Sequence, residues 1–264
     1  MAKRILTSAV GLLIFFGVLF AGTAVFSGAV LFVTLVMLTE FQKALSSHKA
    51  VLAVSLLSSI AVALGMLLQT PQMGIAVLIV LHLILVVVLF GRVHFKDIYI
   101  SGFSTLFITM FMTVISLLHR ETGVAGPLLI FICAWVTDSG AYFAGYFLGR
   151  HKLAPHLSPK KTVEGAVGGM LACVVFCLLY IVVLENGFGY SVDPAEYVWI
   201  AVLGAVASGF AQLGDLTASA VKRDCGVKDF GYILPGHGGL MDRFDSVVFI
   251  APLIYYILLY TKIF

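Results

Sequence analysis

Charged residues are scarce in this chain. Asp, Glu, Lys and Arg make up 11% of its 264 residues, whereas soluble domains contain about 25%. Hydrophobic residues account for 61%, and the mean hydropathy is +1.10. So few polar side chains cannot cover a water-soluble globule of this size, so lipid must cover most of the exterior. The composition therefore excludes a cytosolic enzyme and a disordered tail.

Cysteine is also rare, and the chain has only four. Cys133, Cys173 and Cys177 fall in apolar stretches with no His or carboxylate nearby in sequence, which excludes a disulfide scaffold and gives no zinc-ligand set. We interpret them as apolar packing residues, and His82 as a packed or hydrogen-bonded histidine. Walker and G-x-G-x-x-G motifs are absent as well.

Long stretches without charge predict nine membrane-spanning helices, because about 20 apolar residues cross the hydrocarbon core. Ile5 to Thr39 and Ala50 to Gly91 are each long enough for two helices, with breaks at 21–28 and 69–72. Five further helices are predicted in Ile98 to His119, Thr122 to Gly149, Gly165 to Leu184, Tyr197 to Gly214 and Ser246 to Thr261. The last stretch is short, so we expect its helix to begin in the preceding polar segment. The predicted fold class is an all-α integral membrane protein, a polytopic helical bundle.

Basic residues are divided unequally between alternate loops. If the amino terminus is cytoplasmic, fourteen of the sixteen Lys and Arg fall on the cytoplasmic side, and only Arg120 and Lys262 fall outside. This asymmetry follows the positive-inside rule, so we predict a cytoplasmic amino terminus. We expect the first helix to be retained rather than removed as a secretory signal, since eight further spans follow.

Polar motifs are concentrated in the second half of the chain. We assign residues 1–125 as a scaffold of transmembrane helices, and residues 126–264 as the functional region, with cytoplasmic loops at 149–164 and 222–242. Its first motif is Asp138, which lies within a span with Tyr142 and Gly145 on the same helical face. Because an ionised Asp in the membrane is costly, we expect it to face a protein interior or a water-filled cavity. The motif favours a metal or ligand site. The alternative is a buried Asp that only forms hydrogen bonds with a neighbouring helix.

The second motif runs from Ser158 to Gly165 and leads into a span. Thr162 is predicted to cap the helix, and Lys160 and Lys161 precede its positive end. The glycines that follow would let the backbone approach a ligand. Basic loops also serve topology or lipid attraction, but this order of residues favours a phosphate site.

The third motif runs from Gly214 to Asp245. Asp215 ends an apolar helix with Ser219 and Lys222 on its face, and Asp242 and Asp245 lie on one turn of the last helix. Carboxylates at helix ends suit Mg²⁺, which completes its coordination with water and substrate phosphates. A solvated loop with ion pairs is the alternative. The residues favour Mg²⁺ and a phosphate-bearing substrate at the cytoplasmic membrane interface.

The third motif resembles the signature of the phosphatidate cytidylyltransferase (CDP-diacylglycerol synthase) family. The matching residues are Ser219, Val221, Lys222, Arg223, Lys228, Asp229, Pro235, Gly236, His237, Gly238, Gly239, Asp242, Arg243 and Asp245. The segments 158–165 and 137–142 resemble upstream elements of the same family, so the likeness covers roughly residues 130–264. The resemblance implies a nucleotidyltransferase of phospholipid biosynthesis, which makes CDP-diacylglycerol and pyrophosphate from CTP and phosphatidate in the membrane.

The resemblance also implies roles for individual residues. Mg²⁺ would be bound first by Asp215 and Asp242, with Asp138 and Asp245 as further ligands or supporting residues. Catalysis would involve Asp215, Asp242, Lys222 and Arg223. The substrate-binding residues would be Ser158, Lys160, Lys161, Thr162, Glu164, Ser219, Lys228, His237, Gly238, Gly239 and Arg243.

The family likeness further implies a homodimer in a bacterial-type inner (plasma) membrane, with its active site on the cytoplasmic face, no nucleic-acid partner and room for a second cation. A lipid or polyprenol kinase would share the architecture but would not release pyrophosphate. A phosphotransferase that consumes CDP-lipid would need a D-G-x2-A-R-x8-G-x3-D-x3-D pattern, which is absent. An ion or solute transporter would place polar residues in both halves of the chain.

Overall fold

The computed structural model describes residues 2–45, 47–234, 238–261 and 263, with side chains described from residue 9 onward. Nine α-helices lie within these residues and confirm the predicted all-α polytopic class. They are α1 (Ala2–Phe20), α2 (Thr23–Ala44), α3 (Lys49–Leu67), α4 (Pro71–Val88), α5 (Phe95–Thr122), α6 (Ala125–Leu148), α7 (Val163–Phe188), α8 (Pro194–Asp224) and α9 (Met241–Thr261).

The helix boundaries agree with the spans predicted from hydropathy. Eight helices, α2 to α9, are long and apolar enough to cross a membrane, and α1 adds the shorter apolar segment Ala9–Phe20. Pro71 begins α4 at the predicted break, where its fixed φ suits the first helical turn. The last helix begins at Met241, ahead of its apolar stretch, as expected. The chain is an integral membrane protein.

Packing divides the chain into two compact units. The first unit contains Met1–Arg120 and Cys225–Phe244. Its helices are joined by buried hydroxyl groups: Ser55 Oγ lies 2.7 Å from Ser101 Oγ, and the Thr109 hydroxyl donates to Ser59 Oγ at 2.8 Å. Such hydrogen bonds let polar side chains pack between apolar helices. His82 Nδ1 lies 2.9 Å from the Leu78 carbonyl oxygen, which confirms the interpretation of a hydrogen-bonded packing histidine.

The second unit contains Glu121–Asp224 and Asp245–Phe264, and small residues bring α6 and α7 close together within it. A Cβ atom at Gly169 would lie 2.7 Å from the Thr137 carbonyl oxygen, and one at Gly165 would lie 2.7 Å from that of Ala141. These glycines therefore serve helix contact. The expectation that they leave space for a ligand was wrong, because α6 fills that space.

The cysteines meet at the same helix contact. Cys133 of α6 joins Cys173 and Cys177 of α7, all three are fully buried, and their sulfur atoms lie within 4.8 Å of one another. Burial among apolar neighbours is the setting expected for packing residues. The sequence paired only Cys173 with Cys177 and did not predict that Cys133 joins them.

The loop between α6 and α7 forms a short antiparallel hairpin. Strand β1 (Lys152–Ala154) pairs with β2 (Ser158–Thr162), with Lys152 opposite Thr162 and Ala154 opposite Ser158. The sequence predicted only a loop here. Because β2 runs directly into α7, the hairpin fixes the basic residues Lys160 and Lys161 at the amino-terminal end of that helix. The predicted division near residue 125 between scaffold and functional region stays a prediction.

Candidate active site

Thr162 forms the amino-terminal cap of α7, as predicted. Its side-chain oxygen accepts a hydrogen bond from the Gly165 backbone N–H at 3.1 Å, and the residue is buried. Capping satisfies one of the amide groups that a helix leaves unpaired at its start. The hydroxyl is thus engaged within the protein, and its predicted contact with substrate stays a prediction.

Lys161 and Asp215 bring two of the predicted motifs together within the second unit. Lys161 Nζ lies 2.5 Å from Asp215 Oδ2, which links the hairpin to α8. The two side chains are 25% and 30% exposed, so solvent screens the pair and its contribution to stability is small. A pair that adds little stability is available for a functional role.

Three carboxylates occupy the same unit at different depths. Asp245 is buried, Asp215 is half-buried and Asp138 is exposed. The Asp245 carboxyl group interacts repulsively with Asp215 and Asp138 and favourably with Lys222, and it accepts a 2.7 Å hydrogen bond from the Ser246 backbone N–H. Exposure of Asp138 is compatible with the expected water-filled cavity, and the expectation that it faces a protein interior or such a cavity stays a prediction.

The donor chemistry of these residues fits Mg²⁺. Repulsion between neighbouring carboxylates is relieved by a divalent cation, and oxygen atoms are the ligands that Mg²⁺ prefers. Within the described ranges, the cysteine trio forms the one group of three candidate ligand atoms that converge. Because Mg²⁺ commonly takes one or two protein carboxylates, a convergent triad is not required.

Glu164 holds the start of the hairpin. Its carboxylate accepts hydrogen bonds from the backbone N–H groups of Arg150 at 3.0 Å and His151 at 3.2 Å. It also lies 2.6 Å from His151 Nδ1. The sequence predicted a substrate-binding residue, and that role stays a prediction. In the structure, the contacts of Glu164 close the loop between α6 and α7.

Asp242 organises the loop before α9 in the first unit. Its Oδ2 atom accepts hydrogen bonds from the backbone N–H groups of Phe230 at 2.9 Å and Gly239 at 3.0 Å. Gly238 has a φ of +85°, which few other residues adopt without strain. The predicted cradle includes His237, which lies outside the described residues together with Pro235 and Gly236.

The basic and serine residues of the second and third motifs differ in exposure. Lys222 and Ser219 are half-buried on α8, whereas Arg223, Lys228 and Arg243 are exposed. In the second motif, Lys160 is exposed and Ser158 is half-buried. These positions leave several cations accessible to an anionic ligand, as the phosphate-site prediction requires.

Glu40 is the residue that the sequence reasoning missed. It lies in α2 and is only 3% exposed, and its Oε2 atom accepts a 2.8 Å hydrogen bond from the backbone N–H of Met241. From the sequence, Glu40 was noted only as the charged residue that ends the apolar stretch from Ile5 to Thr39. The signal that could have found it is the one used for Asp138: an acidic residue within a helix that is long and apolar enough to span a membrane, where a carboxylate needs partners.

Comparison with known proteins agrees with the motifs. The cytidylyltransferase family model matches residues 2–261. Proteins named phosphatidate cytidylyltransferase are 46% identical in Bacillus subtilis strain 168 over 127 residues, and 37% identical in Thermotoga maritima over 161 residues. One from Staphylococcus aureus strain COL is 47% identical over 137 residues.

The aligned segments leave part of each protein uncovered. They cover 48%, 61% and 51% of this chain, and 45%, 59% and 49% of the respective relatives. The chain thus spans about half the length of the curated relatives that it matches, whereas the family model covers nearly all of it. The family resemblance is confirmed: the chain belongs to the cytidylyltransferase family.

Proposed function

We propose that this chain is a Mg²⁺-dependent phosphatidate cytidylyltransferase, which transfers CMP from CTP to phosphatidate and releases pyrophosphate. The observation that supports this most directly is the contact between Lys161 and Asp215 at 2.5 Å. It joins a predicted phosphate-binding residue to a predicted metal ligand from a separate motif. The names of the bacterial relatives support the same activity.

The proposed reaction brings two polyanions together. A phosphate oxygen of phosphatidate attacks the α-phosphorus of CTP and forms a new P–O bond. The bond from the α-phosphorus to the bridging oxygen breaks, and its electron pair leaves with pyrophosphate. No side chain acts as nucleophile, and His237 is not needed as a general base, because a phosphate monoester is already ionised near neutral pH. Catalysis is then mainly orientation and electrostatic stabilisation.

The protein's own residues divide this work. Lys222, Arg223 and Arg243 hold the triphosphate and the departing pyrophosphate, while Lys160 and Lys161 bind either substrate. A substrate phosphate that attracts Lys161 releases Asp215 from its ion pair. Mg²⁺, when bound, neutralises phosphate charge and orients the reacting groups. Its proposed ligands are Asp215 and Asp242, with Asp138 and Asp245 as further ligands or supporting residues.

The setting of the reaction is also part of the proposal. The bacterial relatives and the apolar helices support the plasma membrane, and the distribution of Lys and Arg supports an active site on the cytoplasmic face. Phosphatidate then arrives from the bilayer and CTP from the cytoplasm. A homodimer and a second cation are proposed from the family likeness.

Pyrophosphate release by the purified chain in detergent tests the proposal. With Mg²⁺ and CTP, we expect release only when phosphatidate is added, and we expect Asp242→Ala to lower it at least about 100-fold. The matched control is Asp224→Ala, because Asp224 is exposed at the end of α8 and outside the proposed site. Equal activity of Asp242→Ala and the parent, or release independent of phosphatidate, would contradict the proposal.

A further inference from the structure

Glu40 is a buried carboxylate that accepts hydrogen bonds from the loop before α9. The residue lies near the end of α2 and is 3% exposed, although its helix is otherwise strongly apolar. Removing a carboxylate from water costs several kcal/mol unless hydrogen bonds replace the lost hydration. The groups that provide this compensation therefore indicate what the residue is for.

The first of these groups is the amino-terminal end of α9. Glu40 Oε2 accepts a hydrogen bond from the Met241 backbone N–H at 2.8 Å, and Met241 is the first residue of α9 and the neighbour of Asp242. The backbone N–H of Leu240 also interacts favourably with the carboxylate. Helix starts leave such amides unpaired and bear partial positive charge, so Glu40 caps α9 from another helix.

Besides these amides, a pair of glycines encloses the carboxylate. A Cβ atom added at Gly231 or at Gly239 would overlap the Glu40 side chain. Oε1 lies against Gly231 and has no hydrogen-bond partner within the described part of the chain, so packing fixes that side of the carboxylate. The rings of Phe41 and Phe230, with centroids 5.5 Å apart, add an apolar contact beside it.

Asp242 binds the same loop at adjacent positions. Its Oδ2 atom accepts from Phe230 and Gly239, and Glu40 contacts Gly231, Gly239 and Met241. Each segment that Asp242 holds is therefore also held by Glu40. A displacement of the loop away from Glu40 would change the orientation of the Asp242 carboxylate.

We propose that Glu40 is a positioning residue: it fastens the loop between Phe230 and Met241 to α2 and thereby fixes the carboxylate of Asp242. Glu40 itself touches neither substrate nor metal in this proposal. The consequence for catalysis rests on the proposed function, in which Asp242 is a Mg²⁺ ligand. The fastening of the loop does not depend on that function and has its own readout.

Amide hydrogen exchange of the purified, metal-free full chain tests the fastening. In Glu40→Ala we expect peptides that contain Phe230, Gly239 and Met241 to exchange about tenfold faster or more, because buried hydrogen bonds are lost. The matched control is Gln42→Ala. Gln42 is fully buried on the same helix, but it donates to the Ser101 carbonyl oxygen and Ser104 Oγ of α5. This control should leave exchange of the loop unchanged.

Two further variants keep the test decisive if Glu40→Ala does not fold. Glu40→Gln retains an acceptor for Met241 and should give a smaller increase in exchange. Gly231→Ala removes no polar group but adds a methyl group against the carboxylate, so it should loosen the loop. Unchanged exchange in folded Glu40→Ala, or in Gly231→Ala where Glu40→Ala does not fold, would overturn the proposal.

Activity measurements separate this inference from the proposed function. If both hold, Glu40→Ala raises the Mg²⁺ concentration for half-maximal activity about tenfold, and Gln42→Ala leaves it unchanged. An unchanged Mg²⁺ requirement with a loosened loop would overturn the link to Asp242 alone. If the parent chain releases no pyrophosphate, the proposed function fails, while the exchange experiment still decides whether Glu40 fastens the loop.

Discussion

At the scale of single residues, we expect loss of the ion pair between Lys161 and Asp215 to lower activity much more than stability. The pair is partly exposed, so its loss should change the stability by at most about 1 kcal/mol. A lysine that holds substrate phosphate stabilises developing charge, so Lys161→Met should lower turnover by about 100-fold. Steady-state assays and thermal unfolding in detergent measure the two effects. The control is Lys152→Met, an exposed lysine of the same hairpin; equal losses of turnover in both variants would argue against a specific role.

The cap at Thr162 makes a prediction about stability. Thr162→Ala removes the cap of α7 and should cost about 0.5–2 kcal/mol. Thr217 provides a matched control, because its hydroxyl donates to Leu213 within its own helix and the residue is exposed. Thr217→Ala should stay within about 0.5 kcal/mol of the parent. Equal thermal unfolding of the two variants would contradict the capping role.

At the scale of helices, the contact between α6 and α7 depends on glycines, which have no side chain to keep the two backbones apart. Gly169→Ala places a methyl group against the Thr137 carbonyl oxygen and should lower the unfolding temperature. Gly187 lies on the same helix, and a Cβ atom added there would have nothing within 4 Å, so Gly187→Ala should be neutral or slightly stabilising. Thermal unfolding in detergent compares the two. A destabilised Gly187→Ala beside an unchanged Gly169→Ala would contradict the packing described.

Helices and caps were predictable because their causes are local. The spans follow from runs of apolar residues, and the cap at Thr162 follows from its position before Glu164 and Gly165. The hairpin was missed because Ser158-Pro159-Lys160-Lys161 lacks the alternating apolar pattern of a strand. The cysteine trio and the contact between Glu40 and Met241 join residues far apart in sequence, so no local pattern could show them.

At the scale of the whole molecule, the nine-span topology makes a prediction about sidedness. Ser191→Cys places a thiol in the exposed loop before α8, and the native Cys225 follows α8. Since one span separates them, a membrane-impermeant thiol reagent should label them from opposite sides, with Cys225 on the cytoplasmic side. The control is a Cys225→Ser variant with no introduced thiol, in which the three remaining cysteines are buried. Labelling of both loops from one side would contradict the nine-span topology.

The candidate site was predictable in its residues but only partly in its arrangement. The order of the motifs identified Asp215, Lys161 and Asp242 as site residues. In the structure Lys161 forms an ion pair with Asp215, and Asp242 accepts a hydrogen bond from the loop before α9. The role of the α7 glycines differed from expectation, since it depends on how α6 packs. Glu40 was missed because its partners are contributed by the far end of the chain.

The most direct test of the central claim is to find which product contains the α-phosphate of CTP and which contains the γ-phosphate. The purified chain is incubated with Mg²⁺, phosphatidate, and CTP labelled either at the α-phosphorus or at the γ-phosphorus. A phosphatidate cytidylyltransferase transfers the α-label to the lipid product and releases the γ-label as pyrophosphate, and we predict this result. Transfer of the γ-label to the lipid would instead identify a kinase, and no transfer of either label would contradict the account.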